Sequence, residues 1–191
     1  MKKLILILML AISQTTLFAQ TTWTNDKQHT QVKFIVTHLG VSSVTGWFKD
    51  VEITITASKA NFSDAKFQLT AKTASIFTGV PPRDSDLRSS HLFDVSNYPE
   101  MTFKSKSVVP TGKDHYKVTG YLSLHGVTKI VTMNLWYRGT INNPISKSID
   151  AGFQVTGTIK RSDYNLGGMY PAAIIGNDIT ILADAEFGKS K

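Results

Sequence analysis

From Gln31 to Phe187 the chain keeps returning to one pattern, an apolar residue at every second position. Val32, Phe34 and Val36 alternate with Gln31, Lys33 and Ile35, and Val51, Ile53 and Ile55 alternate with Glu52, Thr54 and Thr56. The spacing recurs at Phe67, Leu69 and Ala71, at Met101 and Phe103, and along Tyr116, Val118, Gly120, Leu122 and Leu124. It returns at Val131, Met133 and Leu135, at Ala151, Phe153 and Val155, and from Ile179 through Phe187. Successive side chains of an extended chain point to opposite faces, so each segment is a strand with one apolar face, and together they make about eight. Such faces must be hidden, by stacking two sheets or by closing one sheet on itself.

Thr111 to Asp114 and Asn142 to Pro144 are short turns of the kind that join antiparallel neighbours. Helix-length connections occur only around Ser58 to Ala65 and from Arg83 to Phe103, too few for a parallel sheet. In the second, Asp84 caps a helix over about 84–92 and Leu87 shares a face with Ser90 and His91. That helix must end before Pro99, which holds Tyr98 extended. The long strands Tyr116 to Leu124 and Lys129 to Arg138 favour a barrel over a sandwich. So do Gly120 and Gly157 within strands, where a barrel bends or a guest meets the backbone. The expected fold is all-β, an eight-stranded antiparallel barrel with one short helix in a long connection.

The opening MKKLILILMLAISQTTLFAQ sets Lys2 and Lys3 before an apolar run from Leu4 to Ile12, with the small Ala19 after it. This is the pattern of a secretory signal peptide over 1–19, and the run is shorter than the roughly 20 apolar residues of a membrane span. Residues 20–191 are then one domain, periplasmic or secreted. The chain has no cysteine, so no disulfide or lipid-modified N-terminus is available there. The formal charge of +7 falls to +5 without Lys2 and Lys3. Scattered basic residues suit solubility and transient contact with a membrane surface, and they lack the clustering that nucleic-acid binding needs.

Residues able to act on a substrate do not assemble in the sequence. His29, His38, His91, His115 and His125 show no HxH, HxxxH or HExxH spacing, so neither a metal site nor a cofactor is expected. Ser89 and Ser90 beside His91 lack the GxSxG elbow of a nucleophile. His38 and His125, each near a glycine at a strand end, suit hydrogen bonds to backbone or to a ligand head. Asp84 and Arg88, at i and i+4, suit an ion pair that braces the helix. Alternatively Arg83 or Arg88 faces the barrel mouth, where a guanidinium suits a phosphate or other polar head. Arg161 and Asp163 offer a second polar pair. A small hydrolase or lyase using His38, His125 or the Arg83 and Asp84 group remains an alternative. Another is a stress-related interaction protein forming a homodimer around Trp136 and Tyr137.

The apolar positions Phe34, Val36, Phe48, Ile53, Phe67, Leu69, Phe103, Leu122, Leu124, Met133, Leu135, Phe153 and Val155 fall on the inward faces. Periodicity reads the same for a filled core and for a cavity wall, and alone it favours a core.

Ordered blocks alter that balance: FIVTHLG from Phe34, GWF from Gly46, ASIFT from Ala74, YPEMTFKS from Tyr98, GYLSLHGVTK from Gly120, AGF from Ala151 and RSDYNL from Arg161. Together with the Arg83 to Phe103 segment they resemble the YceI-like family across Trp23 to Glu186. The resemblance implies a lipocalin-like barrel that binds a polyisoprenoid, a quinone or a fatty lipid in its interior, without chemistry. The apolar positions would then line a tunnel, helped by Met101, Met133 and Met169, and His38, Arg83, Asp84, Arg88, His125 and Arg161 would lie near the head group. The chain departs from the family at Asp86, where a histidine often precedes the leucine, and at Val80, Pro81 and Pro82. Burying one isoprene unit is worth roughly 4 kcal/mol at about 0.8 per carbon, so a few units outweigh an association cost of about 4 to 15 kcal/mol. A bilayer offers nearly the same gain, which suits an exchanging carrier and leaves selectivity to polar residues.

Overall fold

The structure, a computed structural model, describes residues 20–190, and the expected signal segment 1–19 lies outside the described residues. The order of pairing resolves the strand segments into a closed ring. β1 (Thr21–Asn25) and β2 (Gln31–His38) both pair with β11 (Ile175–Lys189), β1 along its last residues and β2 along its first. β3 (Ser42–Phe48) pairs with β2, and β4 (Val51–Ala57) pairs with β1. β5 (Lys66–Lys72) pairs with β4, and the short β6 (Ile76–Phe77) pairs with β3. Each of these pairs of segments therefore acts as one interrupted strand. With β7 (Glu100–Gly112), β8 (His115–Leu124), β9 (Val127–Asn142) and β10 (Ile149–Lys160), eleven segments fill the eight positions of an antiparallel barrel. The barrel abolishes open edges, and each inward face is hidden by the others.

The two ends differ. One carries the β2–β3 turn, the β8–β9 turn and the long connections 78–99 and 161–174. At the β8–β9 turn, His125 and Gly126 have φ of 50° and 73°, the left-handed pair that a tight hairpin requires. The opposite end is plugged by the 58–65 connection, which is turns with no helix. Its Phe62 takes a left-handed φ of 57° and is buried against Trp23, Tyr137 and Phe153, with ring centroids 5.0 to 5.3 Å apart. Tyr116 donates from its hydroxyl to the Asn61 carbonyl at 2.5 Å and ties the plug down.

The one α-helix among the described residues, α1 (Pro81–Arg88), begins and ends earlier than the expected 84–92. Pro81 and Pro82 occupy its first turn, where their fixed φ is already helical and no N–H is missed. Asp84 is not its cap: Val80 holds that place without a side-chain hydrogen bond, and Asp84 is buried inside the helix. Ser89 is extended, so Ser90 and His91 lie beyond the helix and share no face with Leu87. Gly120 and Gly157 do not admit a guest to the backbone either, because the side chains of Phe103 and Met133 lie over them.

Candidate functional site

The ring encloses a cavity of about 400 Å³, within the range of ligand pockets, that opens at the α1 end and stops at the Phe62 plug. All the apolar positions singled out above line it: Phe34, Val36, Phe48, Ile53, Phe67, Leu69, Phe103, Leu122, Leu124, Met133, Leu135, Phe153 and Val155. Met101 joins them, whereas Met169 stands on the surface, 63% exposed. The inner face of β11 completes the wall, where Ala183 and Ala185 keep the lumen wide beside Ile179 and Ile181. Leu87, Leu92 and Phe93 from the 78–99 connection, and Tyr170 and Ile174 from the 161–174 connection, narrow the mouth. The β11 alternation was visible in the sequence. No sequence signal places the mouth residues, because their connections reach the opening only through the closed ring.

Glycines explain why bulky residues leave the lumen open. A Cβ on Gly46 would fall 2.4 Å from the Phe34 ring, one on Gly120 2.5 Å from Phe103, and one on Gly157 2.0 Å from the Met133 sulfur. In each case the large side chain lies down on bare backbone across the strand pair and stays against the wall.

Apart from Lys33 of β2, the polar residues that border the cavity lie toward its mouth. His38, at the end of β2, and Arg83, on α1, both line it. Arg83 donates through Nε to Thr78 Oγ1 at 2.8 Å and through Nη2 to the Thr78 carbonyl at 3.2 Å, while Nη1 forms no hydrogen bond among the described residues. Asp86 also lines the mouth and accepts from the Tyr170 hydroxyl at 3.3 Å. Loss of solvent, and then the Asp86 charge, push the Tyr170 hydroxyl pKa up, so Tyr170 stays a donor.

The other polar candidates have structural partners. Asp84 accepts from the Thr78 N–H at 2.8 Å and the Thr78 hydroxyl at 2.6 Å, and the expected ion pair with Arg88 is not formed. Arg88 donates instead to the carbonyls of Ala74 and Ile76, binding α1 to the edge at β6. His125 meets the Tyr164 carbonyl through Nδ1 at 3.1 Å and packs on Tyr98, away from the cavity. Arg161 borders the cavity but is buried, and it does not pair with Asp163. Its guanidinium donates to the carbonyls of Leu166, Gly167, Tyr170, Ile175 and Gly176, leaving no N–H for a head group. Tyr137 belongs to the plug and not to an outer face, leaving Trp136 alone outside, stacked on His115.

One cluster escaped the sequence because its members are far apart in the chain. Asp26 and His29, in the break between β1 and β2, meet Glu186 of β11, with possible ligand atoms within 4.8 Å of one another. His29 Nδ1 already lies 2.8 Å from an Asp26 carboxylate oxygen. Nothing about it connects to the cavity.

Comparison with known proteins places this architecture. Residues 23–187 match the YceI-like domain. Protein YceI of Salmonella arizonae is 40% identical over 139 residues, covering 73% of this chain and 72% of that protein. A crystal structure of the Campylobacter jejuni YCEI protein superposes with a TM-score of 0.74 at 28% identity, covering 81% of this chain and 90% of that one. A polyisoprenoid binding domain from Saccharophagus degradans shares the fold at a TM-score of 0.68 and 19% identity, covering 88% and 98%. The chain belongs to the YceI-like family.

Proposed function

We propose that the protein sequesters or carries a polyisoprenoid, a quinone or another long-chain lipid in its barrel, with no chemical step, in the periplasm or outside the cell. One observation carries the reading: an apolar lumen, plugged at one end by aromatic rings and open at the other, where Arg83, His38 and Tyr170 stand. A wall lined almost wholly by apolar side chains gives a hydrocarbon tail burial at about 0.8 kcal/mol per carbon and offers a reacting group little to work with. The relative from Saccharophagus, named for polyisoprenoid binding, supports the same class of ligand. The location rests on the sequence of residues 1–19.

Organic extraction of the purified protein, followed by mass spectrometry, tests the proposal. The expected result is a single-tailed lipid at close to one copy per chain, and delipidated protein that takes up the same lipid again. A protein that carries none and binds neither prenyl nor acyl chains would overturn it. N-terminal mass analysis of protein recovered from outside the cytoplasm checks the location, with loss of residues 1–19 expected.

A further inference from the structure

Resting on that reading, we propose that the mouth of the barrel docks on the uncharged surface of a lipid bilayer, so that the ligand passes between membrane and lumen without crossing water. Exposed aliphatic side chains ring the opening. Leu39 and Val41 stand on the β2–β3 turn, Val80 precedes α1, and Met169 and Ile174 project from the 161–174 connection. Val41 is 86% exposed and Met169 63%. Ile174 is exposed and also lines the cavity, so the apolar surface runs unbroken from the lumen to the outside.

Charge is absent from the tips that bear these side chains. Segments 39–48, 78–82 and 165–177 hold no Asp, Glu, Lys or Arg, while α1 on the same rim carries Arg83, Asp84, Asp86 and Arg88, two of each sign, each hydrogen-bonded within the protein. The far end also exposes isoleucines, at 141, 145 and 149, but its connections carry Lys59, Asp64, Lys113, Asp114 and Lys147, and the Phe62 plug shuts it off from the cavity. Aliphatic tips that project from separate turns, without formal charge between them, suit entry among lipid headgroups and upper acyl chains. A salt-dependent anionic face would call for lysines and arginines there. A charge left at such a tip would have to be buried on docking, and these tips have none to bury.

The test uses residues 20–191, which contain the whole closed ring, loaded with cis-parinaric acid. Loading is read first from its fluorescence without vesicles, with a fluorescent polyprenyl analogue as the second probe; failure of both at this step refutes the lipid-binding reading itself. Transfer is then timed into phosphatidylcholine vesicles carrying a quencher lipid. The expected rate rises with vesicle concentration, is insensitive to salt and to added anionic lipid, and falls about tenfold or more in the Val41→Asp, Met169→Asp double variant. Both positions are exposed, so the variant should fold and load like the wild type, and Ile145→Asp at the far end should transfer like the wild type. A rate independent of vesicle concentration in a protein that loads normally would overturn the docking proposal, as would equal loss in Ile145→Asp. The proposal also fails if the double variant only abolishes self-association in sedimentation, which would make the rim a contact between copies of this chain.

Discussion

A Cβ atom on Gly157 would lie 2.0 Å from the sulfur of Met133, so the thioether rests where any other residue would place a side chain. The same relation holds between Gly120 and Phe103, but there the Lys104 carbonyl oxygen also stands 2.5 Å away. The two glycines thus differ in what must yield. Met133 is flexible and can swing into the lumen, whereas the β7 backbone at Lys104 cannot move without breaking its ladder with β8.

Gly157→Ala should accordingly fold with little loss of stability and hold lipid more weakly, because Met133 is displaced into the cavity. Gly120→Ala should lose about 1 to 3 kcal/mol through overpacking. Denaturant unfolding and lipid titration of both variants separate the two effects. Equal destabilisation would show that the contacted side chain and the contacted backbone are equally rigid.

Arg161 organises the connection over the mouth with hydrogen bonds to main-chain carbonyls and without a carboxylate partner. Arg161→Leu would leave those carbonyls unsatisfied in a buried setting, at an expected cost of about 3 to 5 kcal/mol. Amide exchange should quicken first at residues 165–176. Exchange that speeds uniformly around the barrel would count against this local role.

Tyr164 is buried, and its hydroxyl has no hydrogen-bond partner. Tyr164→Phe should therefore match or exceed the wild type in stability, by about 1 kcal/mol, since an orphaned hydroxyl costs more than it returns. Burial, and then the charge of Asp163, push its pKa up to about 12. The folded state then holds a proton that the unfolded chain releases near 10, so stability is fully present below pH 10 and falls as pH rises toward 12. The variant should lose less stability across that window in pH-dependent melts.

Asp26 and His29 perturb each other in opposite directions. The hydrogen bond from His29 is the main cause lowering Asp26 below 3.8, and the bond to Asp26 is the main cause raising His29 above 6.5. The His29 contribution is fully present below 6.5 and lost as pH rises through its raised value. That of Asp26 is present above 3.8 and lost as pH falls through its lowered value. An NMR titration should place the His29 midpoint above the ordinary value, and Asp26→Asn should return it. A midpoint unmoved by that substitution would break the link.

Much of this could be read before folding was considered. Alternation named every tail-lining position proposed except Phe48, since inwardness in a strand is a property of neighbours two residues apart. The polar candidates fared differently. Asp84 and Arg88 have ion-pair spacing, yet the turn at Thr78 and the carbonyls at β6 compete for them and win. Arg161 suited a head group by chemistry alone, and the connection folded around it claims all its donors.

By itself the sequence determined eight of the eleven strand segments, their antiparallel character and which of their side chains turn inward, because these follow from a period of two and from local turn chemistry; β1, β3 and β6 and the pairing order came only with the closed ring. Whether the inward side chains meet or leave room was decided only when the ring closed. Glycines at 46, 120 and 157 then came to lie under Phe34, Phe103 and Met133, residues that pair across strands and not along the chain. The same closure set the plug at one end and the aliphatic rim at the other.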